Sequence, residues 1–230
     1  MRLAVFGDIH ANLEALEAVT ADAAAEGCSQ YACTGDVVGY NANPNECADV
    51  IRAMACPVVR GNHDEDAAGD HVLTGLNPKA HHALEWTREV LSEDNREWLA
   101  ELPYLIKLNE FTLVHATLNR PESWGYIMNT GDAAASFRNQ EDPLCFHGHT
   151  HIPVIYDAGE FEITSNRKLA KLLPGHRYLC NVGSVGKPRE PDQRATYAIY
   201  DDEARTVTIR RVDYDIEVAR RKSRAAGLIK

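Results

Sequence analysis

The chain lacks the sequence features of membrane-spanning, secreted and disulfide-rich proteins. No stretch approaches the length of a membrane span, and the only apolar run at the amino terminus, residues 3–6, is too short for the core of a signal peptide. The six cysteines are scattered without a Cys-x-x-Cys pair, which favours reduced, mostly buried thiols over a disulfide framework or a zinc ribbon. These absences predict a cytoplasmic protein that does not bind a membrane.

Positive charge is scarce as well. The chain has 24 Lys and Arg residues against 34 Asp and Glu residues, a formal net charge of −10. A protein that coats extended nucleic acid needs a broad cationic surface, so this mode of binding is not expected. A small phosphorylated substrate is compatible with this charge, since bound metal ions would reverse its sign locally.

Internal repeats and low-complexity linkers are absent too. A length of 230 residues with 44% hydrophobic content suits one domain with a sizeable core. We therefore expect a single domain over residues 1–230. Whether copies of the chain form a homo-oligomer is left open by the sequence.

The first sixty residues predict the order strand, helix, strand, helix, strand. Gly27 is placed to end the first helix, and Asn43 is placed to cap the second, with Pro44 at its first position. Residues 78–101 predict two helices, with Ser92 as the cap of the second. A basic helix is expected over residues 216–226. The remaining strand candidates are residues 104–108, 111–115, 154–156, 161–163, 177–180, 195–200 and 206–212.

Strands that alternate with helices favour parallel pairing and right-handed crossovers. The later run of strands calls for a second sheet packed on the first. The predicted fold class is therefore α/β (α+β): a four-layer αββα sandwich of two mixed β-sheets flanked by helices.

Five apolar runs are each followed by residues of the types that bind metal ions. They are Asp8 and His10 after residues 3–6, Asp36 after 31–34, Asn62, His63 and Asp64 after 57–59, His115 after 111–114, and His149 and His151 after 144–146. In open α/β sheets, ligands collect at the carboxyl ends of the strands, so we expect these side chains at one mouth. Mixed nitrogen and oxygen donors suit Mn, Fe, Zn, Ni or Co better than Ca or Mg.

In this order the motifs resemble those of the calcineurin-like metallophosphoesterases, from Asp8 to about Gly186. The motifs are Asp8-x-His10, Gly35-Asp36, Gly61-Asn62-His63-Asp64, His115 and Gly148-His149-Thr150-His151. The resemblance implies a hydrolase with a dinuclear metal centre, in which metal-bound hydroxide attacks phosphorus in line. Manganese is the ion we expect to support activity best in an assay.

The same resemblance assigns roles to single residues. The implied ligands of one ion are Asp8, His10, Asp36 and His151, and those of the other are Asp36, Asn62, His115 and His149. Asp36 would bridge the two ions. His63 would protonate the leaving oxygen or stabilise charge in the transition state, and Asp64 would orient that imidazole.

Residues 35–46 and 181–186 look like a bacterial branch related to diadenosine tetraphosphatases and small phosphodiesterases. Val182 and Ala116 depart from that branch, which often has proline and usually has glycine at these places. The resemblance implies a small, nucleotide-like substrate with a phosphodiester or phosphoanhydride bond. A phosphomonoesterase or a protein phosphatase on the same site is left open, because loops carry specificity.

Candidates for substrate contacts are Arg60, beside the Gly-Asn-His-Asp turn, Tyr40 and Trp124. Trp124 and Tyr126 have the chemistry to stack on a nucleobase, although anchoring of a loop is favoured for both. His147 is interpreted as a structural histidine, with a supporting role behind the metal ligands left open. The other cationic residues near the motifs could meet additional phosphates, although a solvated position is favoured for all of them. These cationic residues are Arg120, Arg138, Lys187 and Arg189.

Two non-enzymatic alternatives are disfavoured. The phosphoesterase-like subunit of the retromer coat is a scaffold that lacks the catalytic histidine, whereas this chain has His63 and all seven implied ligands. Structural zinc sites are usually rich in thiolates, and no cysteine occurs in these motifs.

Overall fold

The computed structural model describes residues 1–230, which form eleven strands and seven α-helices. The strands are β1 (Arg2–Phe6), β2 (Gln30–Cys33), β3 (Leu105–Lys107), β4 (Phe111–Val114), β5 (Leu144–His147), β6 (Val154–Ala158), β7 (Ile163–Asn166), β8 (Leu169–Lys171), β9 (Arg177–Asn181), β10 (Ala195–Asp201) and β11 (Thr206–Val212). The helices are α1 (Leu13–Ala25), α2 (Pro44–Ala53), α3 (Asn62–Ala68), α4 (Pro78–Val90), α5 (Glu93–Glu101), α6 (Thr130–Phe137) and α7 (Ile216–Ala225).

The strands form two mixed sheets. The first has five strands in the order β2-β1-β10-β11-β8, and the second has six in the order β3-β4-β5-β9-β6-β7. Pairing is parallel between β1 and β2 and along β4, β5 and β9, and antiparallel elsewhere. The predicted sandwich of two mixed sheets is confirmed.

The alternation of side chains along each strand creates the layers. In β1, Leu3 and Val5 belong to the apolar cluster between the sheets, whereas Ala4 and Phe6 face the helices that cover the first sheet. In β5, Phe146 points between the sheets, and Cys145 points to the outer cluster that includes Phe137 of α6. Both faces of these strands are therefore buried, and polar residues follow where the strands end.

Helix ends follow local sequence signals in most places. Gly27, just beyond α1, has a φ of +76°, which glycine adopts without the steric cost of a Cβ. The Ser92 hydroxyl accepts the N–H of Asn95 at the start of α5, as predicted. Asn43 does not cap α2 through its side chain; its amide instead donates to the Glu46 carboxylate at 3.0 Å.

The structure differs from the sequence-based assignment in several short segments. Residues 57–59 make only an isolated parallel bridge between Val58 and Cys33. Phe161 is 90% exposed and precedes β7, which begins at Ile163. Helices α3 and α6 and the edge strand β8 were not predicted. All three are short, and none has an apolar repeat long enough to register as a periodic signal.

All six cysteines are free thiols, five of them buried, as predicted. None of the seven helices has the length and apolar character that crossing a membrane demands.

Candidate metal centre

The loops that follow β1, β2 and β5 bring four buried side chains together. The ligand atoms of Asp8, His10, Asp36 and His151 all lie within 4.8 Å of one another. None of these four residues is more than 2% exposed. Two carboxylates and two imidazoles at this spacing have the chemistry of a transition-metal site.

Each imidazole of this group is held through the nitrogen that faces away from the site. The Nδ1–H of His10 donates to the Val38 carbonyl at 3.1 Å, and that of His151 donates to the Lys187 carbonyl at 2.6 Å. The two Nε2 atoms point into the site and lie 3.1 Å apart, and Nε2 of His151 is also 3.1 Å from Oδ1 of Asp8. Two imidazole nitrogens and a carboxylate oxygen at this spacing suit a shared cation, and anchoring of this kind is usual for metal-binding histidines.

A second group of donors lies beside the first. The Nδ1–H of His115 donates to the Thr34 carbonyl at 2.8 Å, which leaves its Nε2 3.2 Å from Nδ1 of His149. The side-chain oxygen of Asn62 and the Nε2 atom of His149 are buried without a hydrogen-bond partner. Buried polar atoms are rarely left unpaired, so these atoms suit a site that a metal ion or its substrate completes.

Asp36 lies between the two groups. Its Oδ2 is 3.5 Å from Nε2 of His10 and 3.4 Å from Nε2 of His115. Its Oδ1 accepts the backbone N–H of His63 at 2.8 Å. One carboxylate oxygen thus faces donors of both groups, which is the arrangement that a bridging ligand requires.

The backbone of the site is unusual. Asp8, His10, Asp36, His149 and His151 all have φ values between 49° and 68°, in the left-handed region that non-glycine residues seldom adopt. Such conformations cluster at functional sites and persist because the surrounding structure holds them. Here, backbone bonds fix the loops: the N–H of His10 donates to the Asp36 carbonyl, and that of Asp8 donates to Gly35.

Two glycines are required by close approach. A Cβ at Gly148 would lie 2.1 Å from Oδ2 of Asp8, and one at Gly61 would lie 2.1 Å from Oδ1 of Asp36. The glycines that precede Asn62 and His149 therefore let two loops pass directly against the carboxylates.

Electrostatics keep most of the imidazoles neutral. Burial lowers the pKa of His149 to about 3 and that of His10 well below its usual value. Burial opposes protonation of His115 too, but the Asp36 charge raises its pKa to about 9. For Asp36, burial favours the neutral acid, yet His115 and His63 hold its pKa well below the usual range. Bound cations would replace the proton on His115, since metal ligands must be deprotonated.

His63 lies at the start of α3 and lines the cleft above these donors. Its ring packs against Tyr40, with centroids 4.7 Å apart, and edge-on against His10 at 4.8 Å. Its Nδ1 is buried without a partner beside Gly39, where a Cβ would lie 2.5 Å away. Burial lowers the pKa of His63.

The expected contact between Asp64 and the His63 imidazole is absent, and the assigned orienting role is corrected here. The Asp64 carboxylate accepts backbone N–H groups of Asp36, Val37, Val38 and Gly61 at 2.8–3.2 Å. Because Asp64 lies in the first turn of α3, its side chain points to the loop after β2 rather than to His63. Asp64 therefore holds the loop that carries Asp36.

Two of the three candidate substrate contacts, Arg60 and Trp124, do not line the cleft. Arg60 lies with its guanidinium 5.0 Å from the Tyr104 ring and bonded to the Ala100 carbonyl, outside the cleft. Trp124 donates its indole N–H to Glu65 at 3.1 Å and packs behind His115. These bonds explain the placement, because both side chains are already engaged with neighbouring elements.

The cleft has other polar and aromatic residues at its rim. Tyr40 lines it as expected. Tyr126 also lines it, 52% exposed and with its ring 4.2 Å from that of His149. Asn77 and Arg189, the latter interpreted as solvated from the sequence, also lie at the rim.

Known proteins resemble this chain over its whole length. A family model described as the calcineurin-like phosphoesterase superfamily domain matches residues 1–205. An uncharacterized protein of Methanocaldococcus jannaschii is 38% identical over 224 residues, which cover 96% of this chain and 90% of that protein. The crystal structure of a metallophosphoesterase from Sphaerobacter thermophilus matches with a TM-score of 0.88 at 36% identity, covering 100% of this chain and 95% of that one. A hypothetical protein from Pyrococcus horikoshii shares the fold, with a TM-score of 0.80 at 21% identity, covering 100% of this chain and 94% of that one.

Proposed function

Because the chain belongs to the calcineurin-like phosphoesterase superfamily, we propose that it is a dinuclear-metal-dependent phosphohydrolase that cleaves phosphodiester or nucleotide phosphoanhydride bonds. That it is a phosphoester-hydrolysing enzyme follows from the family. The number of metal ions, the residue roles and the substrate class belong to the proposal, as do a single domain over residues 1–230 and a cytoplasmic location.

The observation that carries the proposal is the position of Asp36. Its Oδ2 lies 3.5 Å from a nitrogen of His10 and 3.4 Å from a nitrogen of His115, and each of these imidazoles is paired with another, His151 or His149. Each of two ions sharing this oxygen would be held by one of these pairs of imidazole nitrogens. Asp8 would complete one ligand set, and the unpaired Asn62 oxygen would complete the other.

Charge explains why such a site suits a phosphate. Two divalent ions contribute about +4 and the carboxylates of Asp8 and Asp36 remove about 2, so a net positive charge would face the substrate. Bound at this place, the ions would bind phosphate oxygens and lower the pKa of water. Neutral His and Asn donors preserve that attraction, which an all-carboxylate cage would cancel.

His63 is the residue proposed to meet the leaving oxygen. It lines the cleft, it is absent from both ligand sets, and its ring is fixed by Tyr40 and His10 rather than by Asp64. A held imidazole at this place would donate a proton or a hydrogen bond to the oxygen that departs. His63 also argues against a role as a non-catalytic scaffold, because such a protein would not require an ordered histidine in the cleft.

Hydrolysis of bis-p-nitrophenyl phosphate tests the proposal. Protein freed of metal by chelation and then supplied with Mn²⁺ should turn the diester over, and Asp36→Asn should lose nearly all of this activity. Asp213→Asn removes the same charge from an exposed position and should not change the rate. Absence of turnover with Mn, Ni, Co and Fe alike would contradict the proposed function.

A further inference from the structure

The cleft contains an arginine with no acidic partner. Arg189 is exposed at the rim of the cleft and forms no salt bridge, although acidic residues outnumber basic ones and nine other arginines pair with carboxylates. Asp36 is the only acidic residue that lines the cleft. The positive charge of Arg189 therefore stays available to a ligand.

The backbone ties Arg189 to the metal centre. The Gly186 N–H donates to the Asp8 carbonyl at 3.0 Å, and the Lys187 carbonyl accepts the Nδ1–H of His151 at 2.6 Å. Pro188 follows, and its ring restricts φ. Arg189 thus lies two residues after Lys187, whose carbonyl holds the proposed ligand His151. The Cα of Arg189 therefore has a nearly fixed position relative to the ions.

Two further donors converge on the same rim. The Asn77 side-chain oxygen accepts the N–H groups of Lys79 and Ala80 at 3.1 and 3.0 Å, so its NH₂ group is the end left for the cleft. The Tyr40 hydroxyl faces both Asn77 and Arg189. A guanidinium, an amide N–H and a phenol hydroxyl form a set that matches the acceptor oxygens of a phosphoryl group.

A solvated surface arginine is the plain alternative. Against it stands a second cation beside the cleft: Lys187 also forms no salt bridge, and its Nζ lies 4.3 Å from the Tyr40 ring centroid, on the segment that leads to Arg189. Two cationic side chains without a salt-bridge partner therefore lie beside the proposed phosphate site.

We propose that Arg189, Asn77 and the Tyr40 hydroxyl bind a second phosphoryl group of the substrate, next to the one at the metal centre. The inference rests on the proposed function and sharpens it. It favours phosphoanhydrides of nucleotides over diesters that carry a single phosphate.

The test compares two substrates that differ only in the number of phosphates: the p-nitrophenyl esters of thymidine 5′-monophosphate and thymidine 5′-triphosphate. With the Mn²⁺-loaded protein, Arg189→Gln should lower kcat/KM for the triphosphate ester at least tenfold more than for the monophosphate ester. A loss of this order is expected when one hydrogen bond to a charged group is removed. Asn77→Ser keeps a cap for α4 but removes the amide donor, and should give a smaller loss in the same direction.

Arg138→Gln is the matched control, because it removes one exposed arginine beside the start of β9, away from the site at the Asn181 end of that strand. Equal losses on the two esters, or no loss on either, would overturn the inference. If the wild type hydrolyses neither ester, the proposed function fails instead. In that case, calorimetric titration of the metal-loaded protein with thymidine mono- and triphosphate tests the second phosphoryl site. The inference then requires that Arg189→Gln weaken triphosphate binding and leave monophosphate binding unchanged.

Discussion

Single side chains in this site have one atom fixed by the protein and another left for a ligand. His10, His115 and His151 each donate one ring N–H to a backbone carbonyl, at Val38, Thr34 and Lys187 respectively, and turn the other nitrogen inward. Fixed orientation of this kind raises the affinity for a metal ion, because no rotamer freedom is lost on binding.

His63 should matter for the rate and not for metal content. In His63→Asn we expect kcat to fall by roughly 10²–10⁴, the usual contribution of a general acid, while the metal content per chain is unchanged. Steady-state kinetics with elemental analysis of the same preparation measures both quantities. His81→Asn, on the exposed face of α4, is the matched control and should behave as the wild type. A variant that loses its metal would place His63 among the ligands.

Asp64 should matter for stability. Asp64→Asn keeps the shape of the side chain but puts an NH₂ group opposite backbone donors now bonded to a carboxylate oxygen. We expect a loss of about 1–3 kcal/mol in the free energy of unfolding, measured by urea denaturation, together with weaker metal binding. A drop in kcat with unchanged stability and metal affinity would instead restore the role of orienting His63.

At the scale of elements, the site depends on loops that pass very close to one another. Gly148, after β5, approaches the Asp8 carboxylate, after β1, and the N–H of His149 donates to that carboxylate at 3.0 Å. Gly61, before α3, approaches Asp36, after β2, in the same way. Each motif is therefore a junction, a place where two loops pack directly against each other, and each junction requires a glycine.

Gly148→Ala tests one junction. The added methyl group would lie 2.1 Å from Oδ2 of Asp8, so the carboxylate or the loop must move, and we expect metal affinity to fall at least tenfold. The metal titration can be followed calorimetrically. Gly27→Ala is the control: its φ of +76° makes alanine cost about 1 kcal/mol of stability, but nothing lies within 4 Å of the new Cβ, and metal affinity should not change. Normal metal binding by Gly148→Ala would show that the close approach is dispensable.

The sequence predicted the elements whose signals are local. The apolar runs of β1, β4 and β5, the cap at Ser92 and the stop at Gly27 depend on nearby residues, and the structure confirms them. Helix α3 was not predicted, because the polar site residues Asn62, His63 and Asp64 occupy its first turn and leave no apolar repeat.

The residue types of the site were predictable as well, since few side chains bind transition metals and their order resembled a known family. Their orientation was not, because it depends on carbonyls far away in the chain: His115 bonds to Thr34, 81 residues earlier. For the same reason the sequence did not show that Arg60 and Trp124 lie outside the cleft, and it did not separate Arg189 from the solvated arginines, because its role depends on what lies opposite it.

At the scale of the whole molecule, the proposed centre lies where the two sheets meet. Strands β1 and β2 of the first sheet and β4 and β5 of the second lead into the loops that carry the ligands, and an apolar cluster between the sheets sets their separation. Each proposed ion would thus join loops from both sheets, through Asp8 and His151 on one side and Asp36 and His115 on the other.

The metal content of active protein tests the central claim most directly. Elemental analysis of chelated protein, titrated with Mn²⁺ until bis-p-nitrophenyl phosphate hydrolysis reaches its maximum, should give two ions per chain, and Asp36→Asn should bind fewer ions and remain inactive. Full activity with no transition metal, or with a single ion per chain, would contradict an Asp36 carboxylate shared between two cations.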